Sequence, residues 1–553
     1  MTKLGVGAIA CALIAGCGGA SARGATTHAR GASLSAPESF PSAAAIAALP
    51  PPGPVQLDTG VVVGHWEIDA ASLAPAAATL DPIYAELAVQ RPTAQRSAGL
   101  ECVARETARV YVAVQGLPGE VLRRFLAARC GAGAIAIAIG VLPITLHDAS
   151  EAQVLAHVHD TLLEHAVQVT DPAANRVGLA VFRDGNTMTI GVASALVQLD
   201  LEPIVPVASG GHLRFQARIA RAPSELIVMA TSGERSVATC AVNGTQPTLE
   251  IDCPFQDGDA RAYVEILGRD GDAVLCMPLA LLIGIASEGA GLTYDRRVPS
   301  VAVALDATQL GAAVLPLLNG ERAQVGAPAL SLSTTQSTAN GSVVPYAFGS
   351  DAHAVEQAML YVMAGWELAA GPLVREGRTI QIDAGRSTDA GQWLFQALET
   401  PLERWVLLDP EARVLAIGAA SSDGATFGIA STYRFFDRDP ASDRAAAEHA
   451  LDEARRASGR PPAGFVQLEP LEDATAAIAE RDADPAAALD EALARIVRSY
   501  ASARGHVYVA SVLEHAPWDA DLLEAPHVGI AVRHAQPSGS AWGVYVVTAV
   551  ALP

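Results

Sequence analysis

The sequence predicts a multidomain α/β (α+β) chain in which three divergent copies of one α/β unit carry an antiparallel β-sandwich between the first and the second. Three observations predict it. The stretch 399–436 runs from a helix end through Asp409-Pro410, an apolar run, Asp423-Gly424 and a second apolar run, and 150–192 repeats that order around Asp171-Pro172 and Asp184-Gly185. An Asp-Gly pair between two apolar runs is a strong hairpin signal. The spacing Leu-x3-Arg-x3-Gly-x-Pro occurs at 318–328 and again at 451–461. Between 213 and 283, short runs follow one another across Ser-Gly, Asn-Gly and Asp-Gly turns, and the first of them alternates apolar with polar residues, as a half-buried strand does.

The 553 residues suffice for several domains, and half of them are apolar. The formal charge of −22 argues against nucleic acid and against electrostatic attraction to anionic lipid. Residues 1–16 read as an export leader: Lys3 supplies the charge, and 4–15 is an apolar stretch too short to span a bilayer. The leader closes on Ile14-Ala15-Gly16-Cys17, which resembles a bacterial lipobox. That resemblance implies a signal peptide cleaved before Cys17 and a lipid anchor on Cys17. No acidic residue follows Cys17, so the implied address is the outer membrane, with the body in the periplasm or at the cell surface.

Residues 17–56 are rich in Gly, Ala, Ser and Pro and read as a tether with too few large apolar residues to pack a core. The first α/β unit spans 57–202. Residues 100–112 and 120–129 are helix-like, the second starting after Pro118-Gly119. Residues 132–146 read as a buried strand pair. Ser150-x-x-Gln153 is a capping box opening a helix that presents Leu155, Val158 and Leu162 on one face. The sandwich spans 203–290. Its short, regularly spaced strands suggest an immunoglobulin-like fold, with a small barrel as the alternative. The second α/β unit spans 305–437, with helices at 350–366 and 387–399, the latter ending at Thr400-Pro401 with a short apolar turn after it. The third spans 443–553, with helices near 472–479 and 485–501 and closing strands at 527–532 and 542–550.

Five cysteines remain beyond Cys17. An exported chain meets an oxidising compartment, so disulfides are allowed. Cys240 and Cys253 flank a predicted hairpin as cross-strand partners. Cys102 and Cys130 lie on consecutive predicted helices and are candidates to pair. Cys276 is left over, and none of the spacings is of the metal-binding Cys-x-x-Cys type.

The two ends of the second unit resemble the CAP superfamily, which includes cysteine-rich secretory proteins, venom antigens and plant pathogenesis-related proteins. Bacterial members often open Leu-Asn-x-x-Arg-x-x-x-Gly-x-x-Pro-Leu. Leu318, Asn319, Arg322, Gly326 and Leu330 match, with Pro328 one place early. They typically close Ser-Pro-x-His-Arg-x-x-Leu-Leu-(Asp/Asn)-Pro before a Val-Gly-Ile-Gly strand. Thr400, Pro401, Arg404, Leu407, Leu408, Asp409, Pro410, Ile417 and Gly418 match. The resemblance implies three α-β-α sandwich units. It also implies a cleft of two histidines and two acidic residues able to hold a divalent metal. The later histidine's slot holds Glu403 here, so that slot is degenerate. In the first unit the equivalent slot, six residues before Asp171, holds His165.

The densest ionisable cluster is His147, Asp148, His157, His159, Asp160, Glu164 and His165. A metal site needs three or four ligands converging on one point. On a continuous helix His157 and His165 are two turns and about 80° apart, so a solvated helix face is the favoured reading. His165 with His157 or Glu164 is the candidate metal or ligand set. Glu403 beside Arg404 reads as a helix-end ion pair, and Trp393 and Trp405 read as core in preference to a ligand groove. No zinc-protease, nucleophile-elbow, phosphate-loop or dinucleotide motif is present. The expectation is therefore a lipoprotein with non-catalytic CAP-like modules that needs no cofactor and binds an envelope polysaccharide, lipid or protein ligand. The alternatives are a metal-dependent hydrolase acting through the first unit, and an adhesive scaffold using the sandwich.

Overall fold

The structure is a computed structural model. It describes residues 14–15, 40–53, 60–68, 78–146, 150–202, 205–219, 223, 225–233, 236–256, 259–269, 275–287, 292–296, 303–368, 373–383, 389–422, 424–436, 439–513, 516–537 and 539–553. It is a mixed α/β chain of several sheets. Of residues 1–16, expected as a leader, only Ile14–Ala15 is described, a two-residue strand between Leu275–Ile285 and Val374–Asp383. Cys17 also lies outside them. Among the described residues no helix is long and apolar enough to cross a membrane.

Two four-stranded sheets and one end of a nine-stranded sheet share one connectivity. In each, a short strand runs parallel to the next-to-last strand, which pairs antiparallel with the last, which pairs antiparallel with the first long one. In the first sheet the order is Gln95–Arg96, Arg176–Asp184, Thr187–Ala195, Ala138–Thr145. In the second it is Ser331–Leu332, Val414–Ser422, Ala425–Phe435, Val374–Asp383. In the third it is Gly464–Val466, His527–Ala535, Val544–Leu552, Arg504–Ala510. The Asp-Gly turn expected at 184–185 joins the last two strands of the first sheet; of the one expected at 423–424, Gly424 stands at positive φ before the last strand and Asp423 lies outside the described residues.

Helices cover both faces of the second sheet. Leu415, Ile417 and Ala430 pack under Leu310–Gln324, Ala390–Ala397 and Pro401–Leu407. Ala416, Phe427 and Ile429 pack under Thr334–Ala347 and Ala352–Ala364. Alternate strand residues thus feed two cores, as the pleat requires. Thr334–Ala347 lies almost on the sheet: a Cβ on Gly418 would stand 2.1 Å from the Gly341 amide nitrogen. Gly178 plays the same part under Ala98–Val114, where a Cβ would stand 2.1 Å from the Leu100 carbonyl carbon.

Between these regions in the chain, a five-stranded antiparallel sheet packs face to face on the other end of the nine-stranded sheet, around Leu213, Phe215, Val228, Ile251, Val264 and Leu282. The boundary differs from the expected residue 203. Leu199–Glu202 pairs with His212–Ile219, burying Leu199 and Leu201 and exposing Asp200 and Glu202. Both expected disulfides form, Cys102–Cys130 and Cys240–Cys253.

Several local expectations change. Residues 132–146 hold one strand, Ala138–Thr145, because Gly131 and Gly133 turn the chain before it at positive φ. The apolar turn after Thr400 is the helix Pro401–Leu407, closed by a capping box between Thr400 and Glu403. The tether is not free throughout. Phe40 and Ile46 are buried in the core of the second α/β region, and Ala43–Ala47 is helical with Ser42 as its N-cap.

One arginine contact occurs three times. Arg322 is fully buried and donates to the carbonyls of Pro328 (2.8 Å), Leu407 (2.8 Å) and Ala412 (3.3 Å). Arg455 donates to Pro461 (2.8 Å), Leu522 (2.8 Å) and Ala525 (2.9 Å). Arg91 donates to Val167 (3.2 Å) and Thr170 (3.1 Å). Each joins an early helix to the helix end that precedes the next-to-last strand. The rigid guanidinium fork satisfies carbonyls that such an end leaves open. Arg322→Met strands three of them, and we expect a loss of about 3 kcal/mol, read as a lower urea midpoint. Arg322→Lys, with one compact ammonium, is expected to recover less than half of it. A change below about 0.5 kcal/mol in the Met variant would contradict this role.

Candidate functional site: a buried carboxylate junction

The family slot at Glu403 sits where three regions meet. Thr400 leaves the preceding helix in extended conformation, and Pro401 takes the first position of a new helix, where its missing N–H costs nothing. Glu403 then folds back: its Oε2 accepts from the Thr400 amide (3.3 Å) and hydroxyl (2.8 Å), and its own amide donates to Thr400 Oγ1 (3.4 Å). Its other oxygen lies 3.6 Å from Arg124 of the Glu120–Arg129 helix in the first α/β region. Glu265, from the sandwich strand Arg261–Arg269, accepts from the Leu402 amide at 3.1 Å. Arg404 turns away from Glu403 and donates to the carbonyls of Leu398 (2.6 Å) and Gly233 (3.2 Å). The ion pair expected with Arg404 is therefore formed with Arg124, because the capping box fixes the carboxylate toward the first region.

Three carboxylates share this buried setting. Burial and repulsion from Glu403 push Glu265 up to about 7. Burial pushes Glu399 up to about 7 against the pull of Arg124. Burial raises Glu403 as well, with Arg124 and Thr400 holding it back. Arg124 is held protonated, since Glu403 and Glu265 outweigh the burial that opposes its charge. Protons shared among such neighbours belong to the group as a whole. Chemically the junction can take up and release protons near neutrality.

On the far side of the same helix, Asp409 accepts from Arg434 (2.6 and 2.8 Å) and lies 3.4 Å from Arg378, whose guanidinium stacks 3.4 Å from the Trp405 ring centroid. Burial works to raise its pKa, but Arg434 and Arg378 hold it below the usual carboxylate range. Asp409 thus anchors the Asp-Pro turn. Trp393 is fully buried in the core.

The histidine cluster is dispersed. His147 and Asp148 lie outside the described residues. The helix expected to carry the others breaks at Val158 into Glu151–His157 and His159–Val169. His157 and Glu164 are exposed, and Glu164 accepts from Gln168 at 3.2 Å. His159 pairs with Glu86 (3.3 Å) and Asp160 (3.1 Å). His165 turns inward, its buried Nε2 without a hydrogen-bond partner among the described residues, and burial lowers its pKa toward the neutral form. The structure does not bring His165, His157 and Glu164 to one point. Among the described residues no group of three or more His, Cys, Asp or Glu is arranged to hold a metal ion.

A second cluster was missed from the sequence. His506 lies between Asp519 (3.0 Å from Nδ1) and Asp521 (2.9 Å from Nε2), and the Tyr508 hydroxyl donates to Asp519 at 2.8 Å. Each ring nitrogen of His506 thus has a carboxylate oxygen within hydrogen-bond distance. The alternation His506-x-Tyr508 on a strand and the pair Asp519-x-Asp521 were the available signals.

No protein-family model matches the chain, and no curated protein matches it. Solved structures show distant similarity. An extracellular protein containing a SCP domain from Bacillus anthracis str. Ames is 9% identical over 41% of this chain and 83% of that chain, with a TM-score of 0.18. A cysteine-rich secretory protein from Staphylococcus aureus subsp. aureus Mu50 is 9% identical over 47% and 86%, with a TM-score of 0.18. Na-ASP-1 is 9% identical over 64% and 88%, with a TM-score of 0.17. At TM-scores this low none of them carries an argument.

The junction sets a pH dependence. Carboxylates raised in the folded state stabilise it fully below the ordinary value near 4.5, and that contribution is lost as pH rises through about 7. We expect thermal stability to fall between pH 5.5 and pH 8, by about 2 kcal/mol for each of Glu265 and Glu399. Glu265→Gln should flatten the profile and leave the protein more stable than wild type at pH 8. A melting temperature independent of pH across that window in the wild type would refute it.

Proposed function

We propose that the chain is an outer-membrane lipoprotein anchored through Cys17. Its three α/β regions are degenerate, non-catalytic CAP-like modules, and the sandwich between the first two is immunoglobulin-like. The modules bind a ligand, an envelope polymer or a protein partner.

The observation that carries the non-catalytic reading is the fate of the Glu403 slot. A residue meant to hold metal or substrate must present its polar atoms to a cleft. Glu403 spends one oxygen on the Thr400 cap and directs the other at Arg124. The shared connectivity of the three sheets and the threefold arginine contact support the repeat. The motif around Cys17 supports the anchor. A hydrolase acting through the first region would need ligands to join His165, and its nearest candidates, His157 and Glu164, are exposed.

Two measurements test this. Cells expressing the full chain are expected to incorporate labelled palmitate and to retain the protein in the outer-membrane fraction, and Cys17→Ala is expected to abolish both. Titration calorimetry of the purified protein with Zn²⁺ is expected to show no stoichiometric tight binding. A tight site that His165→Ala removes would overturn the non-catalytic reading in favour of the hydrolase.

A further inference from the structure

Residues read from the sequence as free tether are partly built into the body. Phe40 packs against Trp542, their ring centroids 4.8 Å apart. The Trp366 indole N–H donates to the Pro41 carbonyl at 2.9 Å. Ser42 caps the Ala43–Ala47 helix, which buries Ile46 against the same core as Met359 and Tyr433. Trp366 follows the Ala352–Ala364 helix of the second α/β region, whereas Trp542 precedes the last strand of the third. The neighbouring Gly543 amide donates to the Val374 carbonyl at 2.7 Å, tying those two regions together. The segment therefore lies over their seam.

We propose that residues 40–49 are a strap that fixes how far from the membrane the body stands and which side faces it. This rests on lipidation at Cys17. About 23 residues separate Cys17 from Phe40, so with the strap docked the seam lies within about 80 Å of the anchor, at 3.3–3.6 Å per extended residue. With the strap released, the next fixed point is Gly60, where Val61 is hydrogen-bonded to Leu117 and Gly119. About 43 residues then intervene, and the limit rises to about 150 Å. The attachment point moves at the same time, from the seam to the first α/β region. The formal charge of −22 gives the body no attraction of its own to an anionic surface, so its facing depends on the strap.

Hydrogen exchange on the full chain carrying Cys17→Ser tests docking without the lipid. The Ile46, Ala48 and Leu49 amides, bonded to the Ser42, Ala44 and Ile46 carbonyls, are expected to exchange at least about tenfold slower than in an unstructured peptide. The double variant Phe40→Ala, Ile46→Ala is expected to bring them within about twofold of it. Trp366→Phe, which keeps the ring and removes one hydrogen bond, should fall between. Unprotected amides in the Cys17→Ser chain would overturn the strap whether or not the native chain is lipidated. Neutron reflectometry of the lipidated protein on a supported bilayer then reads the stand-off. Wild-type density is expected to begin within about 80 Å, and the double variant to reach beyond it. Identical profiles would overturn the stand-off role. Protected amides together with failure of the wild type to reach the bilayer would overturn the anchor reading and the membrane facing, and leave the strap as a seal on the seam.

Discussion

The architecture depends on a buried guanidinium. Each α/β region must place a short helix across the entry to its next-to-last strand, and such a helix ends with open carbonyls. Water would satisfy them at a surface, but these ends are packed against another helix. Arg322, Arg455 and Arg91 supply the donors instead. The arrangement costs the desolvation of a charge, and Arg322 shows it: burial lowers its pKa although Asp409 acts the other way. Several hydrogen bonds from one rigid fork offset that cost. The strand order follows, because the helix end fixes where the next-to-last strand begins and the hairpin fixes the last.

The same helix end explains how the regions are joined. In the second region its N-terminal side holds Glu403, with Arg124 arriving from the first region and Glu265 from the sandwich. One short helix therefore faces inward with its carbonyls and outward with a carboxylate. A slot that the CAP resemblance assigns to chemistry is occupied here by a residue that closes an interface. The junction sets Glu265, Glu399 and Glu403 against Arg124, Arg261 and Arg404, and burial together with the repulsion between Glu265 and Glu403 favours proton uptake.

The legible parts were those written in local pattern. Residues 120–129 form the helix Glu120–Arg129. Ser150 and Gln153 make their capping box. The Asp184-Gly185 hairpin falls where the turn was read, and both cysteine pairs join. Thr334–Ala347 was not legible, because Thr, Ser, Asn, Gly and Pro are poor helix formers. It exists because Gln336 and Asn340 are buried in a hydrogen-bonded chain to Ser431 and Gly341 lies against Gly418. Pro401–Leu407 is legible in principle, since Thr400-x-x-Glu403 is the same capping-box pattern as Ser150-x-x-Gln153. The junction itself was out of reach: Glu265 and Leu402 are 137 residues apart, and no local pattern encodes that meeting.

Each of the three sheets ends on one side in a strand of two or three residues, Gln95–Arg96, Ser331–Leu332 or Gly464–Val466. On the opposite side, the first sheet ends in a strand that carries Pro143 and the third in one that carries Arg504 and His506. A sheet edge is a template for another chain, and short length, proline and charge each spoil it. Molecules crowded side by side on one surface meet edge to edge far more often than molecules in dilute solution. These blunted borders let many copies stand together without knitting into fibres.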